Sequence, residues 1–138
     1  MRLYTDGAAR GNPGPAAAGI VIEDDHGRVL WQEGRYLGET TNNVAEYQAL
    51  LLGLKKASEL GRGALVVRMD SELVVKQLQG GYRVKHPALI PLHRQALALC
   101  LGFESWRAEH VRRQQNSLAD RLANQALDER LGGPAPRG

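Results

Sequence analysis

Apolar residues along this chain switch between a two-residue and a helical period, and the switches mark the elements. Residues 2–5 form a short strand-like run ending at Asp6. Residues 17–23, with Ile20, Val21 and Ile22 at the centre, predict a buried second strand. Asp24-Asp25-His26-Gly27 is a turn signal, so a third strand over residues 28–37 closes a hairpin with the second. A helix follows over residues 43–60. Val44, Tyr47, Leu51, Leu54 and Ser58 share its inward stripe, Leu50 and Ala57 lie beside it, and Gly61 and Gly63 stop it. Residues 64–69 predict a fourth strand and residues 71–78 a short helix ending at Gly80-Gly81. Pro87 and Pro91 bracket the entry to a helix over residues 92–101; a fifth strand over 103–110 and a last helix over 117–131 complete the series. Residues 7–15, rich in Gly and Pro, read as a loop, and residues 132–138 as a flexible tail.

The order βββαβααβα predicts an α/β fold: a hairpin-linked trio, then later strands parallel to the first in one mixed sheet. A right-handed crossover sets the fourth strand beside the first. Asp6 and Asp70 then end neighbouring parallel strands, at the edge where open α/β sheets carry ligands. Glu46 and Asp120 fall in the first turns of two helices. Each carboxylate has a plain structural reading. Asn43 to Glu46 and Ser117 to Asp120 both fit a capping box; Asp70 or Ser71 can cap the short helix; Asp6 before Gly7 can open a turn. Taken together these readings weaken, because the topology gathers all four acids at one place, where they repel unless a cation neutralises them. Carboxylates are the hard oxygen donors that magnesium prefers.

The length of 138 residues bounds the chain to one domain, read here as residues 1–131. A net charge of +3 permits a polyanionic partner without requiring one. Between Glu72 and Glu104 there is no acid, while Lys76, Arg83, Lys85 and Arg94 fall there, so one region is distinctly positive. Cys100 is the only cysteine, which excludes an internal disulfide and a cysteine-type zinc site; its apolar neighbours predict a buried, inert thiol. The chain opens on a strand without a signal peptide and has no stretch near the ~20 apolar residues of a membrane span. A soluble, cytoplasmic monomer without membrane contact is the expectation.

The glycine-rich stretch from Gly7 to Pro15 lacks the Gly-Lys-Ser/Thr ending of a phosphate-binding P-loop and the spacing of a dinucleotide fingerprint. Five blocks in order carry a resemblance: Thr5-Asp6-Gly7, Gly11-Asn12-Pro13-Gly14-Pro15, Thr41-Asn42-Asn43-Val44-Ala45-Glu46, Met69-Asp70-Ser71 and Asn116-Ser117-Leu118-Ala119-Asp120. They resemble the signature of type 1 ribonuclease H, in the compact form without the basic protrusion.

That resemblance implies a ribonuclease H-like fold with a five-stranded mixed sheet in the order 3-2-1-4-5. It implies an endonuclease that hydrolyses the RNA strand of RNA–DNA hybrids, leaving 5′-phosphate and 3′-hydroxyl ends. Two Mg²⁺ ions, with Mn²⁺ as the alternative, would be held by Asp6, Glu46, Asp70 and Asp120, Asp6 bridging both. Gly7, Asn12, Asn42 and Asn43 match hybrid-contacting positions, and Thr41 a position near the phosphates. Arg113 stands where the better-known bacterial enzymes carry a loop histidine. Arginine stays protonated, so it can hold a phosphate or assist product departure but not exchange protons. Lys76, Arg83 and Lys85 would replace part of the grip of the missing protrusion. A module that binds hybrid or double-stranded RNA with weak activity, or another nuclease of the same superfamily, are the alternatives. His26, His86 and His93 read as surface histidines, and Trp31 and Trp106 as core or sheet-face residues.

Overall fold

A computed structural model describes residues 1–132; residues 133–138 of the predicted tail lie outside the described residues. Strands β1 (Arg2–Ala9), β2 (Gly14–Glu23) and β3 (Val29–Thr40) form a meander. Helix α1 (Asn42–Leu60) crosses to β4 (Ala64–Met69), and α2 (Glu72–Leu78) and α3 (Ile90–Cys100) lead to β5 (Ser105–His110). A 3₁₀ turn, Arg113–Asn116, opens into α4 (Ser117–Arg130). The five strands make one sheet in the order β3-β2-β1-β4-β5. β1 is antiparallel to β2 and parallel to β4, and β4 is parallel to β5, as the element order predicts.

The predicted loop over residues 7–15 is mostly strand. Gly7, Ala8 and Ala9 continue β1 and pair with Ala18, Ala17 and Ala16, so only residues 10–13 turn, closed by Arg10 N–H donating to Pro15 O at 2.8 Å. Small residues read as turn formers, but the ladder and the helices packed on it require them. β3 runs three residues past its predicted end. α3 starts two residues early, with Pro91 in its first turn, where a missing N–H costs nothing. β5 starts two residues late, because Phe103 is buried in the turn that precedes it.

The two faces of the sheet are packed differently. On one face α1 lies against β1 and β2, and Leu3, Ile20, Ile22, Tyr47, Leu50, Leu54 and Val67 form a core of large side chains. The buried face of α1 is rotated from the predicted stripe. Ala45, Glu46, Ala49 and Gly53 turn inward, while Val44 and Ser58 fall at its margin and Ser58 Oγ donates to Lys55 O at 2.7 Å. On the other face α4 buries only Ala119, Ala123 and Leu127. Cys100 is fully buried, which pushes its thiol up to about 12, as expected of an inert side chain. Trp31 is 37% exposed on edge strand β3, with Lys56 Nζ 3.9 Å over its ring, rather than part of the core. Among the described residues no helix is long and apolar enough to cross a membrane.

Candidate active site

Sheet register sets the first pair of carboxylates. Asp6 lies within β1, opposite Gly19 of β2, so it does not open a turn. The β1–β4 ladder pairs Tyr4 with Arg68; two residues on, Asp6 and Asp70 come level at the end of the parallel strands. Ser71 caps α2 by accepting from Val74 N–H at 3.4 Å, which frees Asp70 from that task.

Neither predicted capping box forms. Thr41 is the N-cap of α1 and accepts from Val44 N–H at 3.2 Å. Glu46 reaches across to β1 instead, where its Oε1 accepts from Gly7 N–H at 2.6 Å. That approach needs glycine: a Cβ on Gly7 would lie 2.3 Å from the carbonyl carbon of Ala45. Asn116, at the start of α4, makes no side-chain cap; its amide donates to Thr5 O at 2.9 Å and ties α4 to β1. Asp120 is thereby free to face the sheet, its Oδ1 accepting from Asn124 Nδ2 at 3.2 Å.

One carboxylate oxygen from each of Asp6, Glu46 and Asp70 lies within 4.8 Å of the others. Asp120 and Arg113 complete the wall of an open cleft of about 530 Å³ around them. Asp6 is only 6% exposed and Glu46 9%. Burial, then the charges of Glu46 and Asp70 and the contact with Asp120, pushes Asp6 up to about 9. Burial and Asp70 push Glu46 up to about 8, against the Gly7 N–H, which favours the carboxylate. Among the described residues no ion pair reaches any of the four acids. A cluster of hard oxygen donors whose charge nothing compensates fits a divalent cation such as Mg²⁺, and its lack of sulfur and nitrogen ligands disfavours softer metals.

The predicted substrate residues divide. Asn42 and Asn43 line the carboxylate cleft. Asn12, Thr41 and Asn43 line an adjoining pocket of about 230 Å³ together with His86. Asn12 Oδ1 accepts from Asn42 N–H at 3.0 Å, and Asn42 Oδ1 from Ala9 N–H at 3.1 Å. With those oxygens engaged, each amide NH₂ remains to meet an acceptor. The cations of the basic stretch are not brought to the carboxylates. Lys76 pairs with Glu72 at 3.0 Å and reaches the Tyr82 hydroxyl at 3.4 Å. Arg83 and Arg94 line a separate groove between α2 and α3, and Lys85 is exposed on the same loop. His93 is not a surface histidine: it is half-buried, bonded to Gln77 O at 3.1 Å and edge-on to Tyr47. His26 and His86 are exposed, and His110 ends β5 with its ring 3.2 Å from Asp70 O.

Sequence reasoning missed Gly19 and Gly34. They oppose each other on β2 and β3, in the cross-strand row that begins at Asp6. A Cβ on Gly19 would lie 1.8 Å from Ala119 O, and one on Gly34 2.4 Å from Leu122 O. Glycine inside a strand was the available signal of a close backbone approach. Asn124 and Arg10 were also missed, although Asn124 stands four residues after Asp120, on the same helix face.

The family model described as reverse transcriptase-like matches residues 4–126. A bifunctional protein of Mycobacterium tuberculosis is 49% identical over 127 residues, which are 91% of this chain but 35% of that one. The chain thus spans about a third of the mycobacterial relatives it matches. Ribonuclease HI of Halobacterium salinarum is 44% identical, with 94% of this chain and 65% of that one aligned. The solved structure of LC11 ribonuclease H1 in complex with an RNA/DNA hybrid superimposes with a TM-score of 0.90 at 43% identity, covering 94% of this chain and 98% of that one. With sheet order, carboxylate cluster and near-complete alignment in agreement, this chain belongs to the ribonuclease H family.

Proposed function

We propose that this chain is an endoribonuclease that hydrolyses the RNA strand of RNA–DNA hybrids, leaving 5′-phosphate and 3′-hydroxyl ends. The observation that carries this reading is the convergence of Asp6, Glu46 and Asp70 within 4.8 Å, in a cleft that Asp120 and Asn43 also line. Asp6, Glu46, Asp70 and Asp120 would hold two Mg²⁺ ions, Mn²⁺ being the alternative. Asp6 would serve both ions, Glu46 and Asp70 the ion on the leaving-group side, and Asp120 the ion on the water side. When bound, such ions activate the attacking water and stabilise the charge that develops on phosphate and the leaving 3′-oxygen.

The remaining chemistry belongs to the protein. The Gly7 N–H fixes Glu46 by a 2.6 Å bond, so its carboxylate is preorganised rather than recruited. Asn12, Asn42 and Asn43 offer amide donors to minor-groove acceptors and 2′-hydroxyls, the groups that distinguish RNA from DNA. Thr41 adds a hydroxyl toward the phosphate chain, beside Asn12 and His86. Arg113 borders the cleft as a permanent cation and stabilises negative charge on the scissile or departing phosphate. Arg83 and Lys85 extend a positive surface along the duplex, whereas Lys76, tied to Glu72, contributes less than the sequence implies.

The test is cleavage of end-labelled RNA–DNA hybrid, duplex RNA, duplex DNA and a four-way junction at one Mg²⁺ and salt concentration. Selective nicking of the hybrid's RNA strand is the expected result. Cleavage of the junction or of duplex RNA in preference to the hybrid, or binding to hybrid without cleavage, would replace the proposal.

A further inference from the structure

We propose that Asn124, held by Arg10, is a positioning residue that fixes the Asp120 carboxylate for metal binding. The inference rests on Asp120 being a metal ligand and adds what holds it in place. Asp120 needs such support because it approaches the cluster from a helix and lies outside the close triad of Asp6, Glu46 and Asp70. Glu46 has the Gly7 N–H, and Asp6 lies within a strand between two neighbours. Asp120 stands in the first turn of α4 and is only partly buried, and among the described residues Asn124 supplies the N–H donor to its carboxylate.

Asn124 follows Asp120 by one helical turn, so both side chains lie on one face of α4. Its amide nitrogen donates to Asp120 Oδ1 at 3.2 Å and to the Asp120 backbone oxygen at 3.0 Å. Its side-chain oxygen faces Arg10, whose Nη2 lies 3.5 Å from it and 3.4 Å from the Asn124 backbone oxygen. Arg10 is itself anchored to Asp128 at 2.7 Å. The charges on either side choose the orientation of the amide. Flipped, it would set its oxygen against the Asp120 carboxylate and its NH₂ against a guanidinium, and both contacts would be repulsive. Arg10 therefore locks the amide with its donor end toward Asp120.

Arg10 lies in the β1–β2 turn, as does Asn12, which accepts from Asn42 N–H at 3.0 Å. One four-residue turn thus fastens the start of α1, which bears Glu46, and the face of α4 that bears Asp120. In the cleft Asn124 stands beside the four acids. An outer partner of this kind governs ligand orientation, and its loss weakens metal affinity or activity by roughly 10- to 100-fold.

The experiment uses the full chain and the variants Asn124→Leu, Asn124→Gln, Arg10→Ala and Asp120→Asn. Mg²⁺ affinity is measured by calorimetry without nucleic acid, and kcat and KM on the hybrid are measured across Mg²⁺ concentrations. Melting in EDTA reports any plain loss of stability. Asn124→Leu should weaken Mg²⁺ binding about tenfold or more and lower kcat, with KM for the hybrid changed by less than about twofold. Asn124→Gln, which keeps an amide, should recover part of the loss. Arg10→Ala should move both readings in the same direction by less. Wild-type Mg²⁺ affinity in Asn124→Leu, beside a clear loss in Asp120→Asn, would overturn the positioning role and leave Asp120 a ligand. Unchanged Mg²⁺ affinity in Asp120→Asn would overturn the ligand assignment, and the proposal with it.

Discussion

Replacing Gly19 by alanine tests whether the thin face of the sheet sets the position of Asp120. The added Cβ would lie 1.8 Å from Ala119 O, 2.7 Å from its carbonyl carbon and 3.0 Å from Ala123 N, whereas Cβ contacts under 3.0 Å essentially do not occur. The obstructing atoms are helix backbone, so no side-chain rotation relieves the clash, and α4 must retreat by about 1 Å or more. Overpacking of this kind costs roughly 1–3 kcal/mol. The lower entropy of the unfolded alanine chain offsets at most about 1 kcal/mol, so a net loss of about 1–2 kcal/mol is expected. For a chain of this size that is a fall in Tm of roughly 3–10 °C.

The chemical effect should be larger in proportion. Asp120 immediately follows Ala119, and a displacement of about 1 Å is half of the ~2.1 Å that separates Mg²⁺ from its ligand oxygens. Misplacement by 1 Å can cost about 10²-fold in rate, or roughly 2.7 kcal/mol of barrier. Gly63→Ala is the control, because nothing lies within 4 Å of a Cβ there and the backbone makes no demand for glycine. Gly34→Ala, with its Cβ 2.4 Å from Leu122 O, should destabilise comparably but act on Asp120 less directly. Scanning calorimetry and single-turnover cleavage of a labelled hybrid measure the two effects. A Gly19→Ala protein with the melting temperature and cleavage rate of wild type would refute the reasoning.

Other outcomes follow from the carboxylate cluster and its rim. Asp6→Asn should keep the fold and lose cleavage, and a rate within about tenfold of wild type, about 1.4 kcal/mol of barrier, would count decisively against Asp6 as the bridging ligand. In the metal-free protein Asp6 and Glu46 titrate at about 9 and about 8 rather than at 3.8 and 4.5. Both values are raised, so their contribution to stability is complete in acid, declines above about pH 4 and is gone by about pH 9; urea melts in EDTA should follow that fall, and Asp6→Asn should flatten it. Mg²⁺ binding at pH 7 should then release protons, measurable as a buffer-dependent calorimetric heat, and an identical heat in buffers of different ionisation enthalpy would contradict the raised values. Arg113→Ala should lower single-turnover cleavage more than hybrid affinity, and an unchanged cleavage rate would remove Arg113 from the mechanism.

Much of this site was legible because its residues follow from periodicity. Asp6 and Asp70 stand where two strands approach one edge, and the parallel crossover that makes those strands neighbours follows from the element order. The capping boxes misled because Glu46 and Asp120 have the right spacing to cap their own helices but do not: Glu46 finds its partner across the fold, and Asp120 turns to the sheet and to Asn124 one turn further on. A 2.6 Å bond to Gly7 N–H and a place facing the sheet are tertiary facts that no four-residue window contains. The glycine-rich stretch misled for the same reason. Gly7 and Gly19 lie in strands where backbone must meet backbone, and the sequence gives the same letter to a turn and to a close approach.

What decides the chemistry is the difference between the two faces of the sheet. On the α1 face large side chains separate helix and sheet over most of their length, but at the open end Gly7 admits the start of α1, where Glu46 and Asn42 accept from Gly7 N–H and Ala9 N–H. On the α4 face glycine on the strands and alanine on the helix let backbones touch, so a side chain as short as aspartate, on the residue after that contact, can reach the cluster. The longer acid from α1 and the shorter one from α4 flank Asp6, inside β1, and Asp70, just past the end of β4. Exchanging Glu46 for Asp, or Asp120 for Glu, should therefore impair Mg²⁺ binding despite unchanged charge. Retention of wild-type affinity in both exchanges would show that layer spacing does not set ligand length.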